Sequence, residues 1–285
     1  MQQLARKLVR EGVTRALAED VGPGDATTLA TVPARARAGA IMAAREPMVV
    51  CGLDLAEEAF RQLSRKVEIE RCCSDGDRLD AGAPLLRLKG PARALLTAER
   101  VALNFVQRLS GIATLTASFV AKVAGTRARV LDTRKTTPGW RLLEKYAVAC
   151  GGGQNHRVGL YDLVLIKDNH LVALRDAGPN AIAAAVQRAR QAWPKLKVEV
   201  EADTLEQVRQ AVEAGADIIL LDNMPPTVLR RAVKRVAGRA QTEASGGVNI
   251  RTVAAIARTG VDFISVGALT HSARAVDIGL DFDFA

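Results

Sequence analysis

Residues 197–267 read KVEVEADTLEQVRQAVEAGADIILLDNMPPTVLRRAVKRVAGRAQTEASGGVNIRTVAAIARTGVDFISVG. Four apolar runs punctuate this stretch: KVEVE (197–201), DIILLD (217–222), QTEAS (241–245) and DFISVG (262–267). They end at residues 201, 222, 245 and 267, an even spacing that suits compact strand–loop–helix–loop units. The segments between them read as helices. TLEQVRQAVEAG places Leu205, Val208, Ala211 and Val212 on one face, and Thr204 with Gln207 predicts a capping box. PPTVLRRAVKRVAG (225–238) opens with prolines and closes with glycine, and NIRTVAAIARTG (249–260) predicts a further helix between Asn249 and Gly260. The strings AGADII (214–219) and TGVDFI (259–264) repeat one form: helix end, glycine, aspartate, buried strand.

Working outward, RVLD (129–132) and LVLIK (163–167) add two more runs, and a seventh strand is expected within residues 106–128. The pattern predicts a parallel α/β barrel in preference to an open doubly wound sheet. Polar groups end nearly every run, and barrel chemistry sits at the C-terminal strand ends. The first 105 residues differ. A helix over about 2–19 leads into EDVGPGDATT, read as a loop, and then into extended runs at 36–46, 47–52, 66–73 and 83–90 around a helix at 53–63. This predicts a small α+β domain over 1–105, rejoined by residues 272–285, and a barrel domain over 106–271. Residues 92–116 read as mostly helical.

Lys plus Arg is 40 against 31 for Asp plus Glu, a formal charge of +9 that favours anionic ligands. Aromatic residues are only 4%, without the aromatic-basic interleaving of a nucleic-acid binder, so anionic small molecules suit the charge at least as well. No apolar run is long enough for a membrane span, and the N-terminus lacks the pattern of a secretory signal. Cys51, Cys72, Cys73 and Cys150 form no C-x-x-C pair, which predicts buried or half-buried thiols in a reducing compartment.

The densest cluster of cations is DTRKTTPGWRLLEKYAVACGGGQNHRVGLYDLVLIKDNH (132–170). Arg134 and Lys135 follow a strand, where Arg grips carboxylates through two hydrogen bonds and Lys offers phosphate a compact charge. Gly151–Gly153 before His156 and Arg157 is either a mobile linker or a loop that lets backbone approach an anion. His156 is either a structural hydrogen-bonder or a group that orients a carboxylate. Lys167, at a strand end, is a Schiff-base lysine or an anion clamp. Glu201 and Asp222 end successive strands and are placed to meet one ligand, with Glu199 on the same face as Glu201 but deeper. Ser245-Gly246-Gly247 and Gly267 through His271 follow the last two strands, where barrels commonly seat a phosphate. No His/Cys metal cage and no Ser-His-Asp or Cys-His system stands out. The sum suggests an enzyme acting on a phosphosugar and an anionic partner.

The strings EDVGPGDATT, ERVALNFVQRLSGIAT, DTRKTTPGWRLLEKYAV, GGGQNHRVGLYDLVLIKDNH, VEVEADTLEQ, LLDNM, EASGGVN and ISVGALTHS occur in an order that resembles the quinolinate phosphoribosyltransferases. The resemblance implies an N-terminal α/β sandwich and an incomplete, seven-stranded barrel of the type II phosphoribosyltransferases. It further implies a cytoplasmic homodimer that uses Mg²⁺. Such enzymes join quinolinate to 5-phosphoribosyl-1-pyrophosphate, giving nicotinate mononucleotide, pyrophosphate and CO₂ for NAD biosynthesis. On this resemblance Arg100, Arg134, His156, Arg157 and Lys167 are expected to bind quinolinate, with Arg100 reaching the neighbouring subunit's site. Lys135, Glu201 and Asp222 are expected to be catalytic. Lys135 would meet pyrophosphate, while Glu201 and Asp222 would lie near the ribose hydroxyls and Mg²⁺. Ser245, Gly246, Gly247, Gly267 and His271 would hold the 5-phosphate end. The alternatives are a molybdenum-transport-associated relative, a nicotinate-specific phosphoribosyltransferase, or, in a different class, a basic nucleic-acid binder. LVLIKDNH favours the quinolinate enzyme over the first of these.

Overall fold

The protein is described from a computed structural model that covers residues 4–283. Two compact units emerge. One gathers the chain up to Ala117, Leu142–Gly152 and the segment from Ala273 onward; the other comprises Ser118–Arg141 and Gly153–Ser272. Residues 106–117 and Leu142–Gly152 therefore group with the N-terminal residues. The chain passes from one unit to the other more than once.

In the first unit the amphipathic helix α1 (Arg6–Val21) buries Val9, Val13 and Leu17. The earlier part of the expected helix, residues 2 and 3, lies outside the described residues. EDVGPGDATT is not all loop: Asp25 accepts from Thr28 N and caps a short helix, α2 (Ala26–Thr31). Strand β1 (Arg37–Ala44) follows, then β2 (Met48–Val49) and α3 (Leu53–Leu63). The remaining elements here are β3 (Glu68–Arg71), β4 (Arg78–Leu79) and β5 (Pro84–Pro91). An antiparallel sheet forms from β1, β5 and β3, and β2 pairs with β4. Alternation along β1 and β5 buries Met42, Leu86 and Leu88, as one-sided antiparallel packing requires. Cys51 and Cys150 are buried and Cys73 is half-buried, but Cys72, just beyond β3, is exposed, contrary to expectation. The strand ends at Arg71, so neither cysteine of the pair is held by its alternation.

Helix α4 (Ala92–Val123) is continuous, so residues 106–123 hold no strand. Its apolar residues recur at helical spacing; Val106, Leu109, Ile112 and Ala113 are all buried. The chain then runs β6 (Arg129–Leu131) of the second unit, α5 (Arg141–Cys150), which from Leu142 onward groups with the first unit, and β7 (Val164–Ile166), α6 (Asp168–Val172) and α7 (Ala181–Ala192) of the second. It continues with β8 (Val198–Ala202), α8 (Leu205–Glu213), β9 (Ile218–Asp222), α9 (Pro226–Val236), β10 (Gln241–Ser245), α10 (Val253–Ala257), β11 (Phe263–Ser265) and α11 (Ala268–His271). A last strand, β12 (Ile278–Asp283), belongs to the first unit and pairs antiparallel with β1.

The six parallel strands stand in the order β6-β11-β10-β9-β8-β7. The seventh position is a single-residue parallel bridge: Gln154 N donates to Val130 O and Asp132 N to Gln154 O, beside β6. Gln154 and β7 thus end the sheet on either side, and the barrel is incomplete. Thr204 and Gln207 form the expected capping box on α8. The span 249–260 shortens to the five residues of α10, because Asn249 caps a turn by accepting from Arg251 N and Thr252 N. The sequence repeat has one physical job. Asp217 Oδ2 accepts from Val198 N, and Asp262 Oδ2 accepts from Thr242 N, so each aspartate clips the start of the neighbouring strand. Gly215 and Gly260 sit at positive φ just before, where a side chain would be strained. The clips hold the strand starts, at the opposite end of the sheet from the strand ends that carry Glu201 and Ser245.

Candidate active site

The C-terminal ends of these strands surround a cavity of about 790 Å³. Its wall contains Arg134, Lys135, His156, Arg157, Lys167, Glu201, Asp222, Ser245, Gly246, Gly247, Gly267 and His271, so the structure brings twelve of the sequence-expected positions into one space. Arg100 is not among them; it lies exposed on α4 in the first unit. His170 also stays out of the wall, its Nδ1 accepting from Lys167 N at 2.8 Å.

One side is cationic. Arg134 is half-buried and its Nε has no hydrogen-bond acceptor. Burial first, and then the like charge of Arg134, lower the pKa of Arg157. Two guanidiniums held close enough to repel, one with an unmet donor, form a receptor for an anion. Lys135 is exposed, and Thr270 Oγ1 donates to its carbonyl at 2.7 Å, which ties the loop to α11. A Cβ on Gly267 would stand 3.2 Å from both Lys135 Cδ and His271 Nε2, so glycine lets these two side chains close on one point.

The opposite side is acidic. Carboxylate oxygens of Glu201, Asp203 and Asp222 lie within 4.8 Å of one another, partly open to solvent. Such an all-oxygen set suits a hard divalent cation. Lys167 Nζ stands 3.1 Å from Glu201 Oε2, which bridges the two sides. Asn223, at positive φ, turns its Nδ2 to Asp222 Oδ2 at 2.6 Å while its backbone N donates to Ser245 O. A Cβ on Gly246 would fall 2.1 Å from Asn223 Oδ1, so only glycine leaves room for this arrangement.

A third group forms the floor of the cavity, where His156 and Glu243 are part of the lining. His156 Nε2 is 3.0 Å from Glu199 Oε2 and 3.5 Å from Glu243 Oε2, and both acids are buried. Ser265 Oγ donates to Glu243 Oε1 at 2.6 Å. Glu199 Oε1 and Glu243 Oε2 have no hydrogen-bond partner. Burial, then the charge of Glu243, push Glu199 up to about 7 against the pull of His156. Burial alone would favour neutral His156, whereas its hydrogen bond to Glu199 and the nearby Glu243 carboxylate pull its pKa upward. Arg157 N, however, donates into the Nδ1 lone pair at 2.7 Å, which a doubly protonated ring does not offer. An extra proton in this cluster is therefore better housed on a carboxylate, the direction in which Glu199 moves.

Sequence reasoning missed Asp203, Asn223 and Glu243. Glu243 was findable: it precedes Ser245 by two residues, as Glu199 precedes Glu201, and a strand sends both members of such a pair to one face.

Residues 25–110 match the profile of the Quinolinate phosphoribosyl transferase N-terminal domain, and residues 112–281 that of its C-terminal domain. A nicotinate-nucleotide pyrophosphorylase (carboxylating) of Mycobacterium leprae is 47% identical over 95% of this chain and 96% of its own. A probable enzyme of that name from Bacillus subtilis is 44% identical over 92% of this chain and 89% of its own. The solved nicotinate-nucleotide pyrophosphorylase of Francisella tularensis superposes with a TM-score of 0.93 at 41% identity, covering 99% of this chain and 98% of its own. The human nicotinic acid phosphoribosyltransferase structure shares the fold, with a TM-score of 0.63 at 15% identity. The fold is that of the incomplete-barrel, type II phosphoribosyltransferases. Within that class, the chain belongs to the quinolinate phosphoribosyltransferase family.

Proposed function

We propose that this protein transfers phosphoribose from 5-phosphoribosyl-1-pyrophosphate to quinolinate, with decarboxylation, in NAD biosynthesis. The observation that carries this reading is the division of one cavity into a dicationic receptor at Arg134 and Arg157 and a carboxylate pair at Glu201 and Asp222, with exposed Asp203 beside the pair. A dicarboxylate and a sugar that develops positive charge need those opposite walls. Arg134, Arg157 and Lys167 hold the two carboxylates of quinolinate, with His156 beside them. Arg100 completes the same subsite in a partner copy, which makes the working form a homodimer. Ser245, Gly246, Gly247, Gly267 and His271 hold the 5-phosphate end of the donor.

As the bond from C1 of the ribose to pyrophosphate breaks, C1 gains oxocarbenium character and the carboxylates of Glu201 and Asp222 stabilise it. Lys135 offsets the charge of the departing pyrophosphate. Glu201, Asp203 and Asp222 would hold Mg²⁺, which supplies charge neutralisation to the pyrophosphate when bound. The ring nitrogen of quinolinate attacks C1. The resulting pyridinium accepts the electron pair left when the 2-carboxylate departs as CO₂, and a proton then closes the ring carbon. Among the described residues, no helix is long and apolar enough to cross a membrane. A cytoplasmic location belongs to the same reading.

The test is a purified protein given Mg²⁺, quinolinate and the phosphoribosyl donor. CO₂ and nicotinate mononucleotide are expected to appear together. Turnover of nicotinate but not quinolinate would overturn the substrate assignment.

A further inference from the structure

The mechanism above uses neither Glu199 nor Glu243, yet both are buried within the sheet directly against His156. Burial of two acids is costly, Glu199 Oε1 has no hydrogen-bond partner, and Glu243 Oε2 has only His156 Nε2 at 3.5 Å, so a purely structural account leaves them unexplained. Their placement follows from the strands. Glu199 pairs in register with Leu165 and Ile218, and Glu243 with Leu220 and Phe263, so β8 and β10 deliver both carboxylates to the interior face.

His156 is fixed at three points. Its backbone N donates to Asp132 Oδ1 at 2.8 Å, its Nδ1 accepts from Arg157 N at 2.7 Å, and its Nε2 faces Glu199 and Glu243. A ring nitrogen that accepts carries no proton, so the single ring proton belongs on Nε2 and points into the sheet. Both nitrogens are then engaged by the protein.

We propose that Glu199 and Glu243 are positioning residues for the transfer reaction: they hold His156 as its Nε2–H tautomer, turned away from the substrate, so that the imidazole serves as a rigid wall for the pyridine ring. This rests on the quinolinate reading for its kinetic consequence, but not for the state of the ring. It also reassigns His156: the cationic neighbours Arg134, Arg157 and Lys167 grip the carboxylates, and His156 sets where the ring lies between them.

The test labels the imidazole nitrogens of the full-length protein with ¹⁵N. The chain has three histidines, so His156 is assigned by comparison with a His156→Asn variant. The expected spectrum shows a protonated Nε2 and an unprotonated Nδ1 at His156, unchanged on adding quinolinate. Glu199→Leu removes the nearer acceptor. It should mix the tautomers and raise KM for quinolinate by about tenfold, the scale of one lost buried hydrogen bond, leaving KM for the sugar donor alone. Glu199→Gln keeps an oxygen for Nε2–H and should restore both the spectrum and KM. A wild-type ring protonated at Nδ1, or an E199L protein with unchanged spectrum and KM, overturns the proposal. The wild-type spectrum decides the ring state whether or not E199L folds. Failure of the wild type to release CO₂ from quinolinate would remove the substrate reading alone.

Discussion

Each unit buries a polar cluster against cysteine or histidine, and the two are built differently. In the first, Asp75 accepts from Gly52 N, Leu53 N and Tyr146 Oη at 3.0, 3.1 and 2.9 Å, and so caps the start of α3. Cys51 and Cys150 complete it, their sulfurs 3.4 Å apart. Every carboxylate oxygen there has a partner. In the second unit Glu199 and Glu243 each retain an oxygen without a hydrogen bond, that of Glu243 standing 3.5 Å from His156 Nε2. A satisfied acid spends its hydrogen bonds on holding backbone, whereas under-satisfied acids stand where their field and orientation serve a neighbouring site.

The contrast can be broken by exchanging its outcomes. The largest effect is expected above the second cluster: Lys135→Ala should lower kcat by roughly 100- to 1000-fold, the scale for loss of one preorganised charge stabiliser. Its thermal midpoint should not change, because Lys135 is exposed. Calorimetry beside a turnover assay checks both halves. Asp75→Ala should do the reverse. Losing the cap of α3 and the Tyr146 bond should cost about 2–4 kcal/mol in a denaturant titration, with kcat of the folded fraction within about twofold. A large kcat loss there would erase the distinction between the clusters.

A subtler difference lies in pH. Glu199 titrates near 7 when folded and in the ordinary carboxylate range when unfolded. Between those values the folded state binds more protons, so stability is full at the lower pH and falls as pH rises towards 7. The loss is at most about 3 kcal/mol, and Glu199→Gln should flatten that limb of the profile. Glu46 in the first unit has the opposite sign. Its hydrogen bond with Arg274, and another from Asp277 N, hold it down at about 2. Its contribution is present above the usual carboxylate range and disappears as pH falls towards 2. Since Arg274 is largely exposed, Glu46→Gln should shift the acid midpoint only slightly in a circular-dichroism titration.

Much of the second unit was legible because its code is local. Apolar runs ending in Glu201, Asp222 and Ser245, with glycines after helices, specify strands and strand ends without knowledge of distant residues. Gln154 was not legible: a strand reduced to one bridging residue has no alternation to read. A seventh strand was instead expected within 106–128, where a long amphipathic helix hides the answer. Asp203 lay one residue beyond the buried end of β8, and Asn223 matters through its backbone twist and the space at Gly246. The role of Asp75 joins positions far apart in sequence, which no local pattern encodes. Arg100 remains a residue whose assignment comes from resemblance, for its own surroundings on α4 say only that it is exposed.

The chain changes unit between Ala117 and Ser118, Arg141 and Leu142, Gly152 and Gly153, and Ser272 and Ala273. For heredity this threading has a cost. A single recombination breakpoint cannot exchange either unit whole between two related genes, since any one cut leaves part of each behind. Shuffling that serves beads-on-a-string proteins is closed to this architecture. Its catalytic half and its sheet half can be expected to diverge together, by substitution, as one inherited object.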